Sequence, residues 1–148
     1  MAQCRPLTAA DFEDAQALYQ ELVGRDVAGM EAFQAILAHP GTTIFGAERD
    51  GRILSVATLH ILPNITYGGR PYALIENVVT ARAAQGQGLG RLVMETAAEA
   101  AWAQNVYKIM LLTGRQLGAR GFYERLGYAA DQKHGMVLRR APQRQPTG

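Results

Sequence analysis

The sequence predicts a mixed α+β domain, with a mostly antiparallel central sheet and helices on both of its faces. Three observations predict it. Two β-branched apolar runs, Thr42–Glu48 and Ile53–Leu62, are joined by Arg49-Asp50-Gly51-Arg52, and the Asp-Gly pair marks a hairpin turn. A third run, Tyr72–Thr80, leads through Gly86, Gly88 and Gly90 into a stretch with helical periodicity. The order of elements is a helical pair, an antiparallel meander, then strand, helix, strand, helix and strand.

Taken along the chain, Gln3–Leu7 reads as a short first strand. Thr8 and Asp11 form a capping box, after which Phe12, Ala15, Tyr19 and Leu22 recur at helical spacing. Met30–Ala38 carries Met30, Phe33 and Leu37 on one face and is stopped by His39-Pro40-Gly41. After the hairpin comes a Gly-, Pro- and Asn-containing loop, Pro63 to Pro71. In the strand Tyr72–Thr80, alternation places Leu74, Glu76 and Val78 on one face and Ile75, Asn77 and Val79 on the other. A long helix, Leu89–Gln104, gathers Leu92, Val93, Ala97, Ala100 and Ala101 near one side. Tyr107–Thr113 reads as a buried strand. A short helix, Leu117–Leu126, ends at Gly127 as a C′ glycine, although Gly121 inside it costs up to ~1 kcal/mol relative to Ala. Tyr128–Ala130 and Met136–Arg140 read as a closing hairpin. One domain over residues 1–140 follows, with a flexible polar tail at 141–148.

Composition excludes several function classes. The chain has 148 residues, the size of one domain, with 48% hydrophobic and 19% charged residues. No apolar run is long enough to cross a bilayer, and Asp11, Glu13 and Asp14 interrupt any signal-peptide core, so a soluble cytoplasmic protein is expected. Cys4 is the only cysteine, which rules out an internal disulfide. His39, His60 and His134 lack metal-ligand spacing, so no metal is expected. A net charge of +2 does not argue for nucleic acid, and Arg139, Arg140 and Arg144 beside Pro142 and Pro146 read as a solvated tail.

The sharpest motif is Gln85-Gly86-Gln87-Gly88-Leu89-Gly90-Arg91. Glycines let a ligand approach the backbone, and the first N–H groups of the following helix have no intrahelical acceptor. With the helix dipole, these make a pyrophosphate cradle. A P-loop would need Gly-Lys-Ser/Thr where Gly90-Arg91-Leu92 stands. A dinucleotide fingerprint fails too, because Arg91 occupies its last glycine position.

The turn instead resembles the pyrophosphate loop of the GNAT acetyltransferase superfamily, with Gln85, Gly88 and Gly90 at its fixed positions. The strand Ile75–Val79 is similar to that family's fourth strand. Downstream, Gln116-x-x-Ala119-x-x-Phe122-Tyr123-Glu124-x-Leu126-Gly127-Tyr128 is similar to its Asn-to-aromatic segment. The motifs cover Tyr72 to Tyr128, and the order of elements agrees over nearly the whole chain. The resemblance implies a GNAT-like sheet, acetyl-CoA as cosubstrate and, by family default, a homodimer. It places the backbone of Gln85, Gly86, Gln87, Gly88, Leu89, Gly90 and Arg91 on the pyrophosphate of coenzyme A. It also places the backbone at Val78 and Val79 on the pantetheine arm and thioester carbonyl. Gln116 stands where the family's cofactor-side Asn would be, and Gln85 where Arg is commoner. Ile75–Val79 with Tyr107-Lys108-Ile109 also resembles glucosamine-phosphate N-acetyltransferases, although GNAT proteins of other specificity share such strings.

Two side chains are candidates for the chemistry. By resemblance, Tyr123 is the acid that protonates the departing thiolate; the competing reading is a core tyrosine anchored by its ring. Glu76 is the candidate base, directly or through water, because a protonated amine is not a nucleophile. Its competing readings are a structural ion pair and an exposed sheet position. Cys4 has no local His to make it an acyl-enzyme nucleophile, so direct transfer to a small-molecule amine is expected: an amino sugar, amino acid or polyamine. The alternatives are a protein or peptide amine, or a non-catalytic acyl-CoA sensor. The helical pair before Gly41 and the Pro63–Pro71 loop are expected to line the acceptor pocket, Arg91 and Arg115 are further phosphate candidates, and His60 reads as structural.

Overall fold

A computed structural model of the chain describes residues 1–116 and 118–142, so most of the expected 141–148 tail lies outside the described residues. The chain falls into two compact units, Met1–Leu111 and Leu112–Gly148. The first holds β1 (Gln3–Pro6), α1 (Phe12–Val23), α2 (Met30–Ala38), β2 (Thr42–Arg49), β3 (Arg52–Leu62), β4 (Tyr72–Thr80), α3 (Leu89–Ala103) and β5 (Ile109–Met110). The second holds α4 (Arg120–Arg125). The sheet runs in the order β1-β2-β3-β4-β5. Neighbours are antiparallel except β4 and β5, which are parallel.

Local chemistry explains the meander. Asp50 (φ 52°) and Gly51 (φ 74°) both take positive φ, the requirement of the tight turn whose twist matches the flanking strands. The expected capping box is present in a tighter form: Thr8 N–H donates to Asp11 Oδ2 at 2.8 Å, closing a 3-10 turn that runs into α1. Arg5 clamps this entry, donating to both carboxylate oxygens of Asp11 at 2.9 Å and to Glu48 at 2.7 Å.

Two apolar layers sandwich the sheet. On one side, Ala15, Leu18 and Phe33 of α1 and α2 pack with Leu7, Ile44, Ile53, Val56 and Val79. On the other lies α3, packed against β3, β2 and β4. Val93, Met94, Ala97 and Ala101 are its buried residues. Burying side chains such as Val56 and Val93, both fully covered, stabilises the fold by about 1.5–3 kcal/mol each.

The strand faces differ from simple alternation. Pairing runs Val56↔Val79 but Thr58↔Glu76, so Asn77 and Val78 together stand against Ala57. That is a β-bulge, with Asn77 at φ 52°. Beyond it the phase inverts. Val79 therefore shares the α1 face with Leu74 and Glu76, and Val78 goes to the other face, contrary to the sequence expectation.

Three elements are shorter than expected. Strand pairing in Tyr107–Thr113 is confined to Ile109–Met110. The short helix begins only at Arg120, since Gly118 sits at φ 69°, a left-handed conformation that no α-helix contains. Gly127 (φ 99°) closes it as expected. Tyr128–Ala130 and Met136–Arg140 form no strands among the described residues. Met136 and Leu138 are 90% and 103% exposed, and strand propensity without a pleated surface to pack on produces no ladder.

The Arg5 clamp has a consequence for acid stability. Hydrogen bonds from Arg5 hold the Asp11 carboxyl below its usual range, against the opposing effect of burial. A depressed folded value means stability that is present above the unfolded value of about 3.9 and lost as pH falls through the folded one. Urea melts between pH 7 and 3 should show stability falling below about pH 4 in the wild type. In Asp11→Asn that fall should be shallower, from a lower plateau; an unchanged acid limb would remove Asp11 from the linkage.

Candidate functional site

The α1 side of the sheet is not completely filled. A cavity of about 200 Å³ lies between α1, the turn Val27–Gly29, α2 and the sheet. Its apolar wall comes from Phe12, Phe33, Ile36 and Ile44, with Ala32 on the helix side. Its polar atoms come from Tyr19, Thr58, His60 and Asn77. Several of these already have partners. Tyr19 is hydrogen-bonded to Thr58, and burial pushes its phenol up. His60 Nδ1 meets Thr42 Oγ1 at 2.9 Å, and Thr42 Oγ1 in turn meets His39 Nδ1 at 3.1 Å.

The bulge borders this cavity. Asn77 lines it directly, and Glu76 shares the sheet face of Thr58, its register partner. Glu76 is exposed and belongs to none of the ion pairs among the described residues. An exposed position is thus the outcome, and the bulge accounts for a carboxylate in so apolar a strand. The other edge of β4 meets β5 only at Ala73↔Ile109 and Leu74↔Met110. Val79 is buried, with its carbonyl accepting from Ser55 Oγ at 3.2 Å, while Val78 is half-buried.

At the head of α3, Gly86 (φ 76°) and Gly88 (φ 82°) both lie in the left-handed region, and Gly88 is the helix N-cap. A Cβ built on either would meet nothing within 4 Å. Backbone conformation, not crowding, is therefore what asks for glycine there. The first helical bond is Leu92 N–H to Gly88 O at 3.0 Å, so the amides of Leu89, Gly90 and Arg91 precede the ladder.

The side chains around the turn are already engaged. Gln85 Nε2 reaches Thr80 O at 3.4 Å, and Arg91 pairs with Glu95 at 3.0 Å. Arg49, at the end of β2, donates from Nη1 to Gln87 Oε1 at 2.6 Å. A guanidinium thus stands at a turn that the sequence furnished only with Arg91.

In the second unit, Gln116 is exposed in a turn. Tyr123 is half-buried in α4, edge-on to Phe122 at 5.1 Å and to Tyr128 at 6.2 Å between ring centres. The Tyr128 hydroxyl is buried with no hydrogen-bond partner among the described residues. Burial, followed by the charge of Tyr123, pushes its phenol up to about 12.

The structure thus brings Glu76, Val78 and Val79 together at the bulge, and Gln85 to Arg91 at the head of α3. Sequence reasoning missed Tyr19, Thr58, Asn77 and Arg49 and took His60 as structural. An Asn in an otherwise apolar strand is the one signal that could have marked the bulge. Arg49 and the cavity wall depend on contacts across the sheet, which no spacing encodes. No group of three or more His, Cys, Asp or Glu among the described residues could hold a metal ion. No described helix is long and apolar enough to cross a membrane.

Comparison with known proteins bears on what such an arrangement does. A sequence model of the acetyltransferase (GNAT) family matches residues 11–128. Over 92 residues the chain is 34% identical to glucosamine 6-phosphate N-acetyltransferase of Trypanosoma brucei brucei. That match covers 62% of this chain and 61% of the relative, so it spans about three-fifths of the relative's length. Among solved structures, a putative acetyltransferase from Agrobacterium tumefaciens superposes with a TM-score of 0.88 at 42% identity. It is covered over 99% of its length and this chain over 93%. A transcriptional regulator from Bacillus halodurans superposes with a TM-score of 0.84 at 27% identity, over 94% of this chain and 99% of that one.

Proposed function

The chain belongs to the acetyltransferase (GNAT) family, and from that premise we propose that it is an acetyl-CoA-dependent N-acetyltransferase acting on a primary amine of a small molecule. The family match over residues 11–128 carries this reading. The glycine turn fits the cosubstrate: left-handed Gly86 and Gly88 leave open space where side chains would stand, and three amides at the head of α3 precede its ladder. Acetyl-CoA supplies an activated acetyl thioester. The amides from Gln85 to Arg91 bind its pyrophosphate, with Arg49 adding positive charge through its hold on Gln87. The β4 backbone at Val78 and Val79 aligns the pantetheine arm and polarises the carbonyl, and Gln116 contributes on the cofactor side. Glu76, or a water it orients, takes the proton of the incoming ammonium, and Tyr123 donates to the departing thiolate.

Thermal melts with coenzyme A, together with CoA-release rates over a panel of amines, test the reading. Stabilisation by CoA with turnover of at least one amine supports it. Stabilisation without any turnover would leave an acyl-CoA sensor, and stabilisation by ATP or NAD but not CoA would refute the cradle assignment.

The role of Glu76 has its own test. Glu76→Gln should lower kcat by about 10², the lower end of the general-base range, because water can partly substitute. The loss should be largest at low pH, where hydroxide is scarcest, and KM for acetyl-CoA should hardly move. An unaltered pH–rate profile would leave Glu76 as an exposed strand residue.

A further inference from the structure

We infer that the acceptor is a primary amine carrying one compact apolar group, about the bulk of a benzene ring, and no phosphate; this rests on the acetyltransferase reading above. The cavity beside the bulge carries the inference. Its volume, about 200 Å³, exceeds the roughly 150 Å³ of an apolar protein cavity that takes up benzene. A six-membered ring with a short chain therefore fits.

The chemistry of the wall points the same way. Carbon from Phe12, Phe33, Ile36 and Ile44 dominates it, and aromatic or branched apolar groups are what such a wall rewards. Three of the four polar lining side chains have partners inside the protein, Tyr19 with Thr58 and His60 with Thr42, which leaves Asn77 as the fourth. A polyhydroxylated sugar would lose water contacts there without replacement. No Lys or Arg is among the described residues that line the cavity, so a phosphate there would meet no counter-charge from them. A carboxylate stands beside the lining residue Asn77: Glu76, opposite Thr58 and on the same face. That polarity suits an ammonium at the mouth with its apolar group pointing inward, between α1 and α2.

The same geometry separates this acceptor from the other classes considered. A polyamine would carry its second ammonium into the apolar wall. An amino sugar would present hydroxyls to it.

The test uses the full-length protein with acetyl-CoA, comparing 2-phenylethylamine, glucosamine 6-phosphate and spermidine by initial rates of CoA release. For phenylethylamine, kcat/KM should exceed that of either competitor by at least about tenfold, the scale on which apolar pockets discriminate. Ala32→Phe, which places a ring in the cavity, should raise KM for phenylethylamine about tenfold or more while leaving the CoA-induced melting shift intact. An equal or higher kcat/KM for glucosamine 6-phosphate or spermidine overturns the inference, as does an unmoved KM in Ala32→Phe. CoA stabilisation with no turnover of phenylethylamine overturns the acceptor class and leaves coenzyme A binding standing. Loss of both CoA stabilisation and all amine turnover takes down the acetyltransferase reading itself.

Discussion

Tyr123→Phe should lower kcat by roughly 10²–10⁴-fold with KM for acetyl-CoA nearly unchanged. The substitution removes one hydroxyl and keeps the ring that packs edge-on against Phe122 and Tyr128. If that hydroxyl donates to the thiolate as it leaves, its contribution exists only in the transition state, so binding is spared and turnover is not. The loss falls at the lower end of the range if water takes over the donation. A core-tyrosine role gives the opposite pattern: full kcat with a lower melting temperature. Tyr128→Phe is the informative neighbour, because Tyr128 is also a buried phenol, held neutral by a value pushed up to about 12. CoA-release rates and melting curves for both variants separate the two tyrosines. Wild-type turnover in Tyr123→Phe ends the acid assignment, and a larger loss in Tyr128→Phe moves it to Tyr128.

Gly88→Val should abolish stabilisation by coenzyme A, a gain of about 2.7 kcal/mol in the wild type at a hundredfold excess over Kd. The structure adds a cost to the unliganded protein. A β-branched residue at φ 82° is strained by about 1–3 kcal/mol even though open space surrounds the position. Gly24 makes the matched control, since it too is left-handed (φ 83°) with nothing within 4 Å, at the far end of α1. Gly24→Val should lose a similar amount of stability and keep its CoA response. Melting curves with and without ligand read both quantities. A wild-type CoA shift in Gly88→Val would place the pyrophosphate elsewhere.

How far the sequence could be read depended on whether the signal was local. The hairpin at Asp50-Gly51, the stop after Ala38 and the glycine at 127 are set by conformational demands within a few residues, and they appear where expected. β4 was found with its correct ends, yet its faces were misassigned beyond Glu76. One residue at positive φ inverts a period of two, and hydrophobicity does not register it. The segment Met136–Arg140 shows the converse: apolar residues state a preference for burial without naming a partner. At the candidate site, the glycine turn was legible because left-handed Gly86 and Gly88 answer a local backbone demand. The cavity beside the bulge was legible only in part: the helical pair lines it, the Pro63–Pro71 loop is not among its lining residues, and Ile44 and Thr58 join Phe12 only once α1, β2 and β3 have packed.

The numbering of the β3–β4 ladder contains one residue more than pairing needs. Omit Asn77 and every other pair closes up without slipping: Val78 would face Ala57 between Thr58↔Glu76 and Val56↔Val79. The inside–outside pattern of the shortened strand would be regular throughout. The fold therefore does not require this codon. A single in-frame insertion into an uninterrupted strand is enough to produce the bulge beside Glu76, and a single deletion is enough to restore regular pairing. In mutational distance, a regular sheet of this topology and one with a left-handed Asn beside its carboxylate lie one triplet apart.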